Sequence, residues 1–143
     1  RIEFVTRIEN ISFFNDSKST NLNSAITALD SLDNNLWLLG GRKKEGNFFE
    51  LGKYSKKIIH AFVFGESKKE LESELKKHLI KISVCDNIEE AFETAFQHGM
   101  NLKLHINILF SPACSSFDQF NNFSDRGKHF KRLVQNKYEK YNL

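Results

Sequence analysis

The stretch ISFFNDSKSTNLNSAITALDSLDNNLWLL, residues 11–39, contains a complete strand–loop–helix–strand unit. ISFF (11–14) is a short apolar run of the kind found in strands. Leu22, Ala25, Ile26, Leu29 and Leu32 then recur at helical spacing, which puts them on one face. LWLL (36–39) shows no polar alternation, so it reads as a strand buried on both sides. Two strands joined through a helix predict a crossover, and hence a parallel sheet.

The same grammar continues outward. Upstream, EFVTRIENISFF reads as two short strands around a polar turn at Arg7–Asn10, giving an antiparallel edge. Downstream, GGRKKEGNFF is a Gly- and Lys-rich loop, followed by a short helical segment around 49–57 and a strand at IIHAFVF (58–64). Ser67-Lys-Lys-Glu70 has the spacing of a capping box, and Leu71, Leu75 and Leu79 mark the buried stripe of the helix it opens. A brief strand at ISVC (82–85) leads to a helix with Ile88, Ala91, Phe92, Ala95 and Phe96 on its apolar face, stopped by Gly99 as a C′ residue. HINILF (105–110) is another apolar strand. The final helix starts around Asp125-Arg126-Gly127 and carries Phe130, Leu133, Val134, Tyr138 and Tyr141 as its stripe. The expected fold is one α/β domain over 1–143: Rossmann-like, doubly wound, with a mainly parallel sheet flanked by helices and an antiparallel N-terminal edge strand.

With 143 residues and 40% hydrophobic content, the chain can bury a core without metals or disulfides. Cys85 and Cys114 lie far apart with no Cys or His at ligand spacing, which leaves zinc without support and makes reduced thiols the default. His60, His78, His98, His105 and His129 are scattered and read as structural or surface residues. No run is long enough to span a membrane. The chain opens on Arg1 and RIEFV reads as if it starts inside an element, so a piece of a longer protein is expected. A formal charge of +3 and a pI near 8.8 motivate a nucleic-acid-binding reading, but the aromatics follow core periodicity instead of interleaving with the cations. Neither GxGxxG nor GxxxxGK[ST] occurs, which counts against a dinucleotide module and a P-loop.

Three polar loops follow three of the strands: NDSKSTN (15–21), GGRKK (40–44) and SPACSS (111–116). If those strands are parallel, the loops meet at one edge, where open α/β sheets bind ligands. Together they offer Asp16, Lys18, Thr20, Arg42, Lys44, Ser115 and Ser116, a set suited to carboxylate or phosphate groups. Asp16, Ser17 and Thr20 are also good helix caps, and the first loop read alone needs no ligand. Lys18 is what a cap does not require. No His, and no Cys beside a base, stands there as a nucleophile, so the loops are expected to bind and position rather than catalyse covalently.

NDSKSTN with LLGGRKK, followed by FSPACSSFDQFNNFSDRG, resembles the C-terminal domain of the Mur ligases, and among them the D-glutamate-adding branch. The resemblance spans the chain, although residues 50–100 carry little of it. It implies an ATP-dependent amide ligation in peptidoglycan precursor synthesis: the carboxylate of UDP-N-acetylmuramoyl-L-alanine becomes an acyl phosphate, which the D-glutamate amine attacks. It implies Lys18 at the reacting carboxylates and phosphate. It assigns Thr20, Lys44, Ser116, Phe117 and the backbone at Phe123 to D-glutamate, and Arg1, Asp16 and Ser115 to ATP. Mg2+ would be held mainly by a central domain that, like the UDP-binding domain, lies outside this chain. The isolated piece is then expected to be inactive, bacterial, cytoplasmic and monomeric. Ser19 and Ser115 stand where alanine is common in the family, and Phe117 where leucine is also seen. A same-fold ligase domain for another amino acid remains the alternative, as does a non-enzymatic Rossmann-like module.

Overall fold

Residues 2–142 are described by the structure, a computed structural model. The strands β1 (Glu3–Ile8), β2 (Ile11–Asn15), β3 (Asn35–Gly40), β4 (Ile58–Phe64), β5 (Ile82–Val84) and β6 (Ile106–Phe110) form one sheet in the order β1-β2-β6-β3-β4-β5. Only β1 is antiparallel, to β2; every other pairing is parallel. The doubly wound sheet with its antiparallel edge is therefore as expected, and β3, buried at every residue, is its apolar centre.

Helices α1 (Leu22–Ser31) and α2 (Lys68–Lys76), with a 3-10 segment at Phe48–Lys57, cover one face; α3 (Ile88–Met100) and α4 (Phe123–Tyr141) cover the other. Strand alternation divides the core between the two. Leu36 and Leu38 point into the layer with Phe92, Phe96 and Phe130, while Trp37 and Leu39 point into the layer with Leu29, Leu71 and Leu75. The Trp37 indole donates to the Ser111 carbonyl at 2.7 Å, so the largest buried ring leaves no polar atom stranded.

Four local expectations need correction. Leu79 is 93% exposed, because α2 ends at Lys76 and Leu79 sits beyond it at φ +59. Gly99 does not stop α3; the helix runs to Met100, with Asn101 as its C-cap. A Cβ at Gly99 would lie 2.9 Å from Ile11 Cδ1, so this glycine allows the helix to seat against β2 and β6. Helix α4 starts at Phe123, two residues early, because the Asn122 side chain accepts from the Asp125 amide at 2.8 Å. Finally, Ser67 precedes α2 but makes no side-chain cap bond, and Ser67-Glu70 is no capping box. Both side chains turn to the GGRKK loop instead.

Candidate functional site

Register sets the site. Asn15 pairs with Phe110, and Phe110 pairs with Leu38, so β2, β6 and β3 end at one level side by side. The three polar loops thus leave adjacent strands at the carboxyl edge of the sheet, with SPACSS in the middle.

In the first loop, Asn21 caps α1, its side chain accepting from the Ser24 amide at 3.0 Å. Asp16, Ser17 and Thr20 are released from that duty. Asp16 is buried and accepts from the hydroxyls of Ser19 and of Ser111, the latter at 2.8 Å. Its amide continues the β2–β6 ladder to the Phe110 carbonyl at 2.7 Å. Lys18, by contrast, is exposed and lines a cleft of about 230 Å³ with Asn15, Phe123, Ser124 and Lys128.

The second loop is tied to the third by reciprocal backbone bonds, Arg42 amide to Ser115 carbonyl at 3.1 Å and Ser115 amide to Arg42 carbonyl at 3.0 Å. Gly41 makes this possible: at φ +132 a side chain is strained, and a Cβ there would fall 2.3 Å from the Ser115 oxygen. Lys44 leaves this loop and donates to Thr20 Oγ1 at 3.3 Å, joining the second loop to the first. In the third loop Ala113 takes φ +60, and Ser115 and Ser116 are buried. Among the described residues no hydrogen bond joins Ser116 to Thr20 or Lys44. Phe117 is 65% exposed at the rim. Phe123 is the first residue of α4, where helix amides lack internal acceptors; its carbonyl accepts from Ser17 Oγ at 2.8 Å. Arg1, assigned to the nucleotide, lies outside the described residues.

Beneath the loops lies Arg126, which the sequence places at the start of the last helix as a residue able to pair with an acid in the site, and which donates to Ser17 instead. Arg126 is 1% exposed, donating from Nε to Ser17 Oγ at 3.0 Å and from Nη2 to the Ser17 carbonyl at 2.8 Å. Burial pushes its pKa down to about 10, against the pull of the Cys114 thiol and Asp118. Its signal was present in the sequence: Arg126 precedes Phe130 and Val134 at steps of four, so it falls on the buried stripe of α4. The Cys114 thiol, buried nearby, is pushed up to about 12 chiefly by desolvation, which makes it inert as a nucleophile at neutral pH.

A fourth loop was missed. Gly40 pairs with Phe64, so the turn after β4 opens on the same edge, and its Glu66 and Ser67, with Glu70 in the first turn of α2, grip the second loop. Beside Asp16, a separate cleft of about 220 Å³ is lined by Ile2, Ser24, Thr27, Ala28 and Ser31. Its hydroxyls and apolar walls fit the edge of a ribose or a flat heterocycle, and among the described residues no cation lines it. Among the described residues no cluster of three or more His, Cys, Asp or Glu could hold a metal ion. No described helix is long and apolar enough to cross a membrane.

The sequence model of the family described as "Mur ligase, glutamate ligase domain" matches residues 1–114. A UDP-N-acetylmuramoylalanine--D-glutamate ligase of Rickettsia felis is 41% identical over 134 residues, covering 93% of this chain and 30% of the relative. One of that name from Wolbachia pipientis is 39% identical over 136 residues, covering 95% and 26%. The chain thus spans less than a third of the length of these relatives. A solved UDP-N-acetylmuramate-alanine ligase from Thermotoga maritima matches with TM-score 0.55 and 16% identity over 95% of this chain and 29% of its own. At that identity it supports the fold alone.

Proposed function

The chain belongs to the Mur ligase glutamate ligase domain family, and from that premise we propose that it is the amino-acid-accepting C-terminal domain of an ATP-dependent ligase that adds D-glutamate to UDP-N-acetylmuramoyl-L-alanine. The UDP-sugar-binding and ATPase domains lie outside this sequence, in a cytoplasmic bacterial enzyme. The observation that carries this reading is the Lys44–Thr20 contact at 3.3 Å, an ammonium and a hydroxyl brought together from two loops on the ligand-binding edge of the sheet.

The chemistry asks for little more from this domain than position and charge. D-glutamate presents two carboxylates and an amine. Lys44 and Thr20 supply a charge-assisted and a neutral hydrogen bond to one carboxylate. The amide at Phe123 offers a helix N-terminal donor, and the Ser116 hydroxyl and the Phe117 ring complete the cleft once the ligand is seated. Held in this way, the amine is aimed at the acyl phosphate, and the entropic part of the barrier is met before reaction. Lys18, extended into solvent at the neighbouring cleft, offsets the negative charge that gathers on carboxylate and phosphate oxygens. ATP, when bound, supplies the phosphoryl group; Asp16 and the cleft beside it, with Ser115 and Arg1, would hold its nucleoside end. Mg2+ is assigned to the other domains.

Amide shifts of the chain titrated with D-glutamate, against L-glutamate, test the amino-acid site. The expected result is movement confined to residues 16–20, 41–44 and 114–124 for the D isomer. In the full-length ligase, Lys18→Ala should abolish most D-glutamate-dependent phosphate release while the domain stays folded. A full-length ligase that releases phosphate equally with another amino acid would refute the substrate assignment.

A further inference from the structure

We propose that the segment Gly65–Glu70, the turn after β4 and the first turn of α2, is a positioning bracket for the amino-acid site, with Ser67 as its central residue. The inference rests on the amino-acid-accepting role proposed for Lys44 and Thr20.

Ser67 stands at the start of α2 with a serine at the cap and a glutamate three residues on, the arrangement that ordinarily satisfies a helix's own amides. Neither side chain serves α2. The Ser67 amide donates to the Gly41 carbonyl at 3.0 Å, and Ser67 Oγ accepts from the Lys43 amide at 2.9 Å. Two bonds from one residue therefore fix the backbone on either side of Arg42, immediately before Lys44. The Glu70 carboxylate pairs with Lys43 Nζ at 3.4 Å, where the Lys43 side chain is 13% exposed and lies over the Phe48 ring. Arg42 pairs with Glu66 at 3.2 Å.

The bracket also reaches the third loop. The Glu66 amide donates to Asp118 Oδ2 at 3.1 Å, two residues beyond Ser116. Gly65 allows the approach, since a Cβ there would lie 2.6 Å from the Gly41 nitrogen. The loops bearing Lys44 and Ser116 are thus held to one element, the turn into α2, while among the described residues no hydrogen bond or ion pair joins Glu66, Ser67 or Glu70 to Thr20 or Lys44 Nζ. A long lysine side chain has many rotamers, and fixing its backbone reduces what ligand binding must order. Ser67 acts through Lys44. It is a positioning residue.

The test is steady-state kinetics of the full-length ligase, wild type against Ser67→Ala, Ser67→Thr and Glu70→Gln. Ser67→Ala should raise KM for D-glutamate about fivefold, the worth of one hydrogen bond, with KM for ATP and kcat unchanged. Ser67→Thr, which keeps an acceptor oxygen, should restore the wild-type KM. Glu70→Gln lies at an exposed helix position that folding tolerates, and should raise the same KM about twofold. An unchanged D-glutamate KM in Ser67→Ala, or a rise shared by all substrates with a lower melting temperature, would overturn the proposal. If Ser67→Ala does not fold, an unchanged KM in Glu70→Gln overturns it instead. A wild-type enzyme with no D-glutamate-dependent phosphate release would overturn the functional reading itself, a different failure from a variant that matches an active wild type.

Discussion

Replacing Arg126 with Met separates what the buried guanidinium does for stability from what it does for the loops. The substitution removes two charge-assisted hydrogen bonds to Ser17, at 3.0 and 2.8 Å, each worth about 1.5–3 kcal/mol. Opposing this is the cost of burying the charge. The depression of the guanidinium pKa to about 10 corresponds to about 3 kcal/mol against the cation in the folded state. Methionine fills much of the vacated volume, so the cavity contribution is small. The net loss should be about 1–2 kcal/mol, or about 5 °C in Tm for a chain of this size. The loops should fare worse than the fold. Ser17 loses the partner of its carbonyl, and its link to Phe123 is no longer braced, so amide shifts at 15–20 and 123–127 should move while those of α2 and β5 stay. Thermal unfolding by circular dichroism and a two-dimensional amide spectrum measure both. A Tm fall above about 15 °C would show that the guanidinium stabilises far more than its burial costs, and an unperturbed first loop would show that it does not brace the site. Either result refutes the reasoning.

Three further outcomes are expected. Gly41→Ala forces a side chain at φ +132 to within 2.3 Å of the Ser115 oxygen, so it should cost about 3 kcal/mol in denaturant unfolding, and a cost under about 1 kcal/mol would mean that the Arg42–Ser115 bridge is dispensable. Leu79→Asn should stabilise by about 0.5–1 kcal/mol, since an exposed leucine at φ +59 after α2 is strained where asparagine is not; a loss on chemical denaturation would contradict this. The His60 pKa is lowered by burial, then by His98 and Lys81. The unfolded chain therefore binds the proton first, and stability should fall as pH drops below about 6.5 towards the depressed folded value. His60→Phe should flatten that slope between about pH 7 and 5, and an unaltered slope would assign the acid sensitivity elsewhere.

Much of this architecture was legible before any coordinates. ISFF, LWLL, IIHAFVF and HINILF are apolar without alternation, and the helices between them repeat at 3.6, so parallel strands and covered faces follow from burial alone. The polar loops after three of those strands were found by their composition, and their meeting at one edge followed from parallel direction. The misses share a cause. Ser67 and Glu70 have capping-box spacing, yet the amide that donates to Ser67 Oγ belongs to a loop 24 residues upstream. Leu79 continues a stripe in sequence that the helix itself abandons at Lys76. Gly99 looks like a stop signal but serves a close helix–sheet approach.

The sequence by itself determined the kind and order of the elements, the faces they bury and the residue types offered at the carboxyl edge, because those depend on local period and solvent transfer. Only the tertiary structure decided that β6 lies between β2 and β3, that Lys44 meets Thr20, that Arg126 sits under Ser17 and that α2 grips the second loop. Those are pairings between polar groups distant in the chain. Each is selected by which donors and acceptors the strand order brings within about 3 Å, and no spacing along the sequence encodes that distance.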